Sequence, residues 1–348
     1  MTARRLASLL GLPLALLLAV GLLSPTPATA AMEKGDVRLF ARVPSPGYPA
    51  YVHVHTNKRV YVGTYIAGDS QPSRVFEYSR RGQLLRSWEV PGQRLGADHG
   101  VQVAHGTADG KLVLLETSRR RVMTLDVTTG RFRTVATLPE GAVPNYATWI
   151  PGARLIVTDY AQGVLWKVSR TGTVRRWYAS RALDGVVGFG TTGIAYRPGQ
   201  RDLLITQQTV SDGSAAPTNG ALYSLALRRG KPGAIRTLWT SAPTDLPDGF
   251  GIGRSGRIYV ANAGLTAQLV VLSAKGREIE RFPEEPFTGE NGTPVPFDTP
   301  CSATFLGDTV MVANQSALAG DASHQAVLRV GVGERGRERF LPRRAIFS

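Results

Sequence analysis

Six positions along the chain place a polar or small residue just before a short apolar strand, and one of them is a carboxylate. Asp248 stands before the run 250–253, and His99 and Asn145 stand at the same offset before their own strands. The other three positions are Ala50, Thr192 and Cys301, which makes the intervals 49, 46, 47, 56 and 53 residues. A carboxylate, an imidazole and an amide in one site can move a proton or bind a cation. We therefore predict that Asp248, His99 and Asn145 face one functional pocket, with His99 as a candidate catalytic residue.

A second set of polar residues ends the apolar strand that follows each of these positions. The six residues are Thr64, Glu116, Asp159, Gln207, Asn262 and Asn314. A purely structural ring would not need six polar groups at one height, so we predict a ligand pocket beside it. The predicted substrate contacts are Asn145, Thr192, Glu116, Asp159, Gln207, Asn262 and Asn314. Strand ends beside loops are often polar for structural reasons, and that alternative stays open.

The elements that carry these residues repeat six times. Each unit has a short strand, a turn and an apolar strand, followed by a second strand pair that ends at a glycine or a basic turn. A repeat of about 50 residues with four strands is typical of β-propeller blades. We predict an all-β fold, a six-bladed β-propeller with four-stranded antiparallel blades around a central channel. The blades span residues 49–332, a strand at 36–41 completes the last blade, and the tail 335–348 packs against a blade edge.

The N-terminus has the pattern of a secretory signal peptide. Arg4 and Arg5 precede the apolar run 6–23, and the segment 28–30 (ATA) fits an A-x-A cleavage site. We predict a signal peptide over 1–30, a single domain over 31–348 that begins near Ala31, and a secreted or cell-envelope location. The alternative is a single membrane anchor, and no second span follows in the mature chain.

Charge and cysteine content limit the possible partners. The formal net charge is +15, and most basic residues lie in turns such as Arg80-Arg81 and Arg228-Arg229. This pattern suits contact with an anionic cell surface through arginine-rich loops, although a G+C-rich coding bias gives the same excess. No nucleic-acid-binding motif is present, and we expect a monomer. Cys301 is the only cysteine, which excludes an internal disulfide, and we interpret it as a buried small residue rather than a nucleophile.

Three local motifs resemble one family. Residues 246–252 (LPDGFGI), followed by 256–261 (GRIYVA), are similar to the PDG motif of the gluconolactonase, regucalcin and luciferin-regenerating-enzyme family of six-bladed propellers. Residues 144–146 (PNY) are similar to its PN motif, and 191–195 (TTGIA) match its NG motif except at the Asn. The resemblance implies a hydrolase that acts on a lactone or a sugar-like ester, with a small molecule bound in the central channel.

The resemblance also implies one divalent cation, often calcium, over the channel. Family members hold it with a Glu, the NG Asn and the PDG Asp, which corresponds here to Asp248. The resemblance therefore implies that Asp248 is a catalytic residue and a metal ligand and that Asn145 is a second metal ligand. The Glu position holds Ala50 and the NG position holds Thr192. We therefore expect a weakened or altered metal site. The candidate substitute ligands are Glu116, Asp159 and His99.

Other functions remain open. The missing ligands favour a non-enzymatic propeller that binds a sugar, a peptide or an envelope component. A propeller similar to strictosidine synthase, which needs no metal, is a third reading. His53 and His55 alternate on one strand and could ligate a metal, but a polar strand face is the simpler interpretation.

Overall fold

Six four-stranded antiparallel units make up the fold. The computed structural model describes residues 32–66, 68, 70–186, 188–210 and 219–348, so the predicted signal peptide lies outside the described residues. Residues Met32–Ser348 form one structural unit. Within the described part of the chain, the helical elements are two 3-10 turns, Arg181–Leu183 and Ala322–His324. The predicted all-β propeller of four-stranded blades is confirmed.

The strands follow the order of the sequence. Blade 1 contains β2 (Pro49–Val54), β3 (Val60–Ile66), β4 (Arg74–Tyr78) and β5 (Leu84–Glu89). Blade 2 contains β6 (His99–Gly106), β7 (Leu112–Glu116), β8 (Arg121–Asp126) and β9 (Arg131–Thr137). Blade 3 contains β10 (Pro144–Ile150), β11 (Arg154–Asp159), β12 (Val164–Val168) and β13 (Val174–Ala179).

The second half repeats this plan. Blade 4 contains β14 (Thr191–Arg197), β15 (Asp202–Gln207), β16 (Asn219–Arg228) and β17 (Lys231–Pro243). Blade 5 contains β18 (Pro247–Ile252), β19 (Ile258–Asn262), β20 (Leu269–Leu272) and β21 (Glu278–Phe282). Blade 6 contains β22 (Pro300–Leu306), β23 (Thr309–Asn314), β24 (Ala326–Gly331) and, from the N-terminal side, β1 (Val37–Arg42).

The hydrogen-bonded sheets differ in one respect from six separate blades. Blades 3, 4, 5 and 6 are separate four-stranded sheets, whereas blades 1 and 2 share one eight-stranded sheet. Tyr65 and Ile66 at the end of β3 pair with Gly100 and His99 at the start of β6, which joins the two blades. β1 pairs with β24, so the strand at the start of the domain closes the last blade, as predicted.

Hydrophobic clusters hold neighbouring blades together. Val113 and Leu115 of blade 2 pack with Trp149, Leu155 and Val157 of blade 3 in one buried cluster. Because each fully buried large apolar side chain stabilises the fold by about 1.5–3 kcal/mol, these clusters fix the positions of the blades and of the strand ends at the channel. No helix among the described residues has the length and apolar character to cross a membrane.

The C-terminal tail crosses the lower mouth of the channel, by which we mean the side where the innermost strands end. Gly336 pairs with Gly253 of blade 5 and donates to the carbonyl of Gly307 in blade 6. Further along, Phe347 joins the cluster between blades 2 and 3, with its ring centroid 5.1 Å from that of Trp149. We predicted that the tail packs against one blade edge. In the structure it also connects blades on opposite sides of the ring.

Candidate active site at the upper mouth of the channel

The six predicted anchor residues lie where the innermost strands begin, which we call the upper mouth. In blades 1, 3, 4, 5 and 6 the register shifts by one residue at this point, as between Pro247 and Phe250 in β18. A shift of this kind is a β-bulge, which turns a side chain away from the regular alternation. The bulged segments contain Ala50, Asn145, Thr192, Asp248 and Cys301. The short motifs seen in the sequence are thus the bulges of the fold.

Asp248 is a partly exposed residue with one buried carboxylate oxygen. Gln208 Nε2 donates a hydrogen bond to Oδ2 at 3.2 Å, whereas Oδ1 is buried without a partner among the described residues. Burial raises the pKa of Asp248 from 3.8 to about 8, although the nearby Tyr146 hydroxyl, the Gln208 amide and the Gly249 backbone amide act in the opposite direction. A carboxyl group in this state is mostly protonated at neutral pH, so it can donate a proton or a hydrogen bond.

Tyr146 links Asn145 and Asp248 across the channel. Its hydroxyl donates to the carbonyl of Cys301 at 2.8 Å. The same hydroxyl lies 2.2 Å from the place where a Cβ on Gly249 would stand, so no larger residue fits beside Asp248 at this point. The ring of Tyr51 packs against that of Tyr146 with centroids 4.5 Å apart. The two rings thus pack on each other one residue beyond Ala50 and Asn145 along their strands.

Asn145 resembles Asp248 in having a buried side-chain oxygen that accepts no hydrogen bond from the described residues. It is the second residue of β10, as Asp248 is the second residue of β18, and its Oδ1 is also buried without a hydrogen-bond partner in the described chain. An unpartnered buried polar oxygen costs about 1–3 kcal/mol. Two such oxygens at equivalent bulges indicate a place where a ligand supplies the missing contacts.

The other anchor residues have their polar groups engaged. Thr192 Oγ1 donates to the Pro247 carbonyl at 3.0 Å and so links blades 4 and 5. The two ring nitrogens of His99 each lie 2.7 Å from a backbone carbonyl, those of Ala97 and Gln71. His99 is fully buried, so this arrangement favours a structural role over the predicted catalytic one. Asp248 and Asn145 therefore each keep one buried oxygen without a partner among the described residues, whereas both ring nitrogens of His99 are engaged by backbone carbonyls.

Cys301 and Ala50 meet at the closure of the ring. The thiol is buried and lies 3.2 Å from the Pro49 carbonyl and 3.5 Å from that of Ala50. Burial raises the pKa of the Cys301 thiol well above its usual value. A thiol held in this way is a poor nucleophile, in agreement with its interpretation as a buried small residue.

The six strand-ending residues do form a ring, but none of them has any exposed surface. Glu116 is paired with Arg121 at 2.9 Å, and Asp159 accepts hydrogen bonds from the Val143 and Ala161 amides and from Trp166 Nε1. Substrate contact by Glu116, Asp159, Gln207, Asn262 and Asn314 stays a prediction. The geometry favours the structural alternative, in which these residues fasten the loops of their own blades.

Asn262 is the exception in this ring. Its Nδ2 and Oδ1 are both buried without a partner among the described residues. The equivalent Asn314 is saturated, since it accepts from the Asp298 amide and donates to the carbonyls of Pro296 and His324. Equivalent positions in the repeat therefore differ in whether their side-chain polar atoms have hydrogen-bond partners.

We did not predict a role for the residues that directly follow the strand-ending residues. Tyr160 follows Asp159 and donates to Gln208 Oε1 at 2.5 Å, and Gln208 follows Gln207 and donates to Asp248. Successive side chains on an extended chain point to opposite sides. This alternation could have predicted their position. Where the strand-ending residue points into the blade, the following residue points to the channel.

A divalent cation would find two free oxygens here, Asn145 Oδ1 and Asp248 Oδ1. Ala50 offers no side-chain oxygen and the Thr192 hydroxyl is bound to the Pro247 carbonyl, while calcium takes six to eight oxygen ligands. The substitutes considered above, Glu116, Asp159 and His99, are all engaged elsewhere. Within the described ranges, no group of three or more His, Cys, Asp or Glu residues is arranged to hold a metal ion. The residues present do not fit the calcium cage that the resemblance implies.

No family model and no curated protein matches the chain. Similar solved structures include regucalcin, a calcium-binding protein from Agrobacterium tumefaciens, with 16% identity and a TM-score of 0.59 over 87% of this chain and 98% of that chain. A gluconolactonase from Xanthomonas campestris has 16% identity and a TM-score of 0.52 over 84% and 99%. Virginiamycin B lyase from Staphylococcus aureus has 11% identity and a TM-score of 0.55 over 85% and 99%. The predicted likeness to the gluconolactonase and regucalcin propellers is confirmed at the level of the fold.

Proposed function

We propose that the chain hydrolyses a small lactone or sugar-like ester at the upper mouth of the channel, with Asp248 as the proton-transferring residue and without a tightly held divalent cation. The observation that carries this proposal is the pair of unpartnered buried oxygens on Asn145 and Asp248. The propeller fold shared with a gluconolactonase supports it.

The chemistry follows from the protonation of Asp248. With a pKa of about 8, the carboxyl group holds a proton at neutral pH. As water attacks the lactone carbonyl carbon, the ring C–O bond breaks and Asp248 gives its proton to the leaving oxygen. The attacking water loses a proton, which restores the acid form of Asp248, and the product is the hydroxy acid. A general acid whose pKa lies near the working pH contributes about 10²- to 10⁴-fold to the rate.

Asn145 orients the substrate in this proposal. Its amide can accept from one ligand hydroxyl through Oδ1 and donate to another group through Nδ2. A sugar-derived lactone carries several hydroxyls and so satisfies both free oxygens of the site. An unsubstituted lactone lacks these groups and is expected to be a poorer substrate.

The proposed reaction does not require a divalent cation. Calcium at Asp248 requires the ionised carboxylate, which burial disfavours. The cage residues of the similar family are replaced by Ala50 and Thr192. We expect calcium to bind more weakly than in the lactonases and hydrolysis to proceed in its absence.

A second function is favoured by one specific observation. Apart from Asp248, the residues predicted to act at the upper mouth, His99 and Thr192, have their polar side-chain atoms bound within the protein. A site with one acid and one amide can bind a hydroxylated ligand without reacting with it. In that case the chain is a binding propeller for a sugar or an envelope component.

Export and surface contact also belong to the proposal. The pattern of the first 30 residues supports cleavage near Ala31, and the exposed pairs Arg80-Arg81 and Arg228-Arg229 support contact with an anionic cell surface by a monomeric protein. N-terminal sequencing of material recovered outside the cell tests the cleavage, and a sequence that still contains Arg4 and Arg5 argues against it.

The test of the main proposal is a panel of sugar lactones and simple lactones, assayed by acid release with the mature protein and the variants Asp248→Asn and Asp308→Asn. Asp308 is an exposed acid on blade 6 and controls for the charge change. Turnover of a sugar lactone that is lost only in Asp248→Asn supports the proposal. Saturable binding without turnover selects the binding propeller, and neither turnover nor binding contradicts both.

A further inference from the structure

A cavity lies at the lower mouth, and Tyr51 and Tyr146 are among the residues that line it. It has a volume of about 860 Å³ and is enclosed by the lower ends of the innermost strands and by the C-terminal tail. His53, His55 and His105 line it and are all at least nine-tenths buried. The hydrolase proposal makes no use of these three residues, and the sequence had singled out two of them.

The three imidazoles form a cluster. The ring centroid of His53 lies 6.0 Å from that of His55 and 6.2 Å from that of His105. The Nε2 atoms of His53 and His55 both lie within 4 Å of one point, the place where a Cβ on Gly106 would stand. The absence of a side chain at Gly106 therefore leaves open the space that these two nitrogens face.

The partners of the Nδ1 atoms determine what the Nε2 atoms can do. His53 Nδ1 lies 3.3 Å from the Arg339 guanidinium, which can only donate. His55 Nδ1 accepts from the Asn57 amide at 3.3 Å, and His105 Nδ1 accepts from the Gly106 amide at 2.9 Å. The Gly106 carbonyl lies 3.1 Å from His105 Nδ1 and accepts from Trp149 Nε1, and its second lone pair can also accept from His105, so His105 can carry its hydrogen on either nitrogen. Each neutral ring with an accepting Nδ1 carries its hydrogen on Nε2.

All three Nε2 atoms are buried and have no hydrogen-bond partner among the described residues. The cavity thus holds two unsatisfied N–H donors, on His53 and His55, and an unsatisfied buried donor costs about 1–3 kcal/mol. A metal ion needs a lone pair on the nitrogen, which an Nε2–H does not offer. An oxygen anion is the complementary ligand.

The charges around the cavity agree with this. The basic side chains that line it are Lys58, Arg80, Arg254, Arg335, Arg337 and Arg339, and the acidic one is Glu338. Lys58, Arg80, Arg254 and Arg335 are exposed, whereas Arg339 reaches inward and its Nη2 donates to Tyr51 Oη at 3.2 Å. A cleft with one sign of charge at its rim concentrates ions of the opposite sign.

We propose that the lower cavity is a binding site for a small oxyanion ligand, a phosphate- or carboxylate-bearing molecule, held by His53, His55, His105 and Arg339. Burial and the nearby Arg339 keep the pKa of His53 and His105 well below the usual value, so both rings are neutral. The site is distinct from the upper mouth, because neither Asp248 nor Asn145 lines this cavity.

Isothermal titration calorimetry with inorganic phosphate and, separately, with citrate tests this site. The variant His53→Leu removes the Nε2–H, whereas His53→Gln places an amide N–H near the same point. Arg339→Gln removes the charge in the cavity, and Arg175→Gln makes the same charge change on an exposed outer strand of blade 3. Zinc is titrated in parallel.

We expect saturable binding of at least one of the two anions. His53→Leu and Arg339→Gln should weaken it by about tenfold or more, the effect of losing one hydrogen bond of about 1.4 kcal/mol. His53→Gln and Arg175→Gln should remain within about threefold of the original affinity. Phosphate against citrate then distinguishes the two ligand sources. No binding of either anion overturns the proposal, as does binding that His53→Leu and Arg339→Gln leave unchanged, or zinc binding by the same cluster in place of the anions.

Discussion

Asn145 and Asp248 occupy the same place in two different blades. Each is the second residue of an innermost strand, each lies in a one-residue bulge, and each has a buried Oδ1 without a partner in the described structure. Tyr146, the neighbour of Asn145, reaches across to Gly249, the neighbour of Asp248. The proposed ligand site at the upper mouth rests on this relationship.

The first prediction concerns the stability cost of the unusual carboxyl group. A group whose pKa rises from 3.8 to about 8 on folding binds more protons in the folded state between these values. The free energy of unfolding therefore falls as pH rises from about 4 to 8, by at most about 1.4 kcal/mol for each pH unit. Asp248→Asn removes this dependence. Urea unfolding at several pH values measures it, with Asp308→Asn as the control, and parallel curves for all three proteins would contradict the assignment.

The second prediction concerns Gln208. Its amide donates to Asp248 and stabilises the ionised carboxylate, so Gln208→Leu should raise the pKa of Asp248 further. If the acid form is the active one, activity is lost as pH rises through about 8 in the original protein. In Gln208→Leu this loss should move to higher pH. Gln315→Leu, at the equivalent position of blade 6, is the control. A shift to lower pH in Gln208→Leu counts against the proposed role.

The third prediction compares two equivalent asparagines. Asn314 makes three hydrogen bonds to the backbone, whereas the side chain of Asn262 makes none in the described structure. Asn314→Leu should destabilise the fold by about 3 kcal/mol or more, because backbone groups lose their partners. Asn262→Leu should be neutral or stabilising. Chemical denaturation measures both, and equal losses would show that Asn262 has a partner after all.

The fourth prediction concerns the tail. Phe347 is buried against Trp149, so Phe347→Ala should cost about 3 kcal/mol. The exposed Phe287 is the matched control, and Phe287→Ala should change stability by less than about 0.5 kcal/mol. Thermal unfolding of both variants tests this. An unchanged midpoint for Phe347→Ala would mean that the tail adds nothing to the core.

The sequence predicted the strands well because their signals are local. Alternating apolar residues, glycine turns and the short motifs before each strand define the blades without knowledge of distant contacts. The position of Asp248 at the channel followed from the same register. These features could be predicted from the sequence repeat alone.

Other features depend on contacts between distant residues, which one sequence does not show. Both nitrogens of His99 are bound to the carbonyls of Ala97 and Gln71, and nothing near His99 in the sequence indicates this. The contact of Arg339 with His53 joins residues 286 positions apart. For this reason the sequence predicted only that the tail packs against a blade edge and that His53 and His55 form a polar strand face.

The most direct test of the central claim is lactone hydrolysis by metal-stripped protein, measured from pH 5 to pH 9 with and without added calcium. The account predicts turnover in the presence of a chelator, little change on calcium addition, and a loss of rate as pH rises through about 8. In Asp248→Asn the rate should fall by about 10²-fold or more below pH 8, where Asp248 of the original protein is protonated. Turnover that appears only with calcium, or full activity in Asp248→Asn, would contradict it.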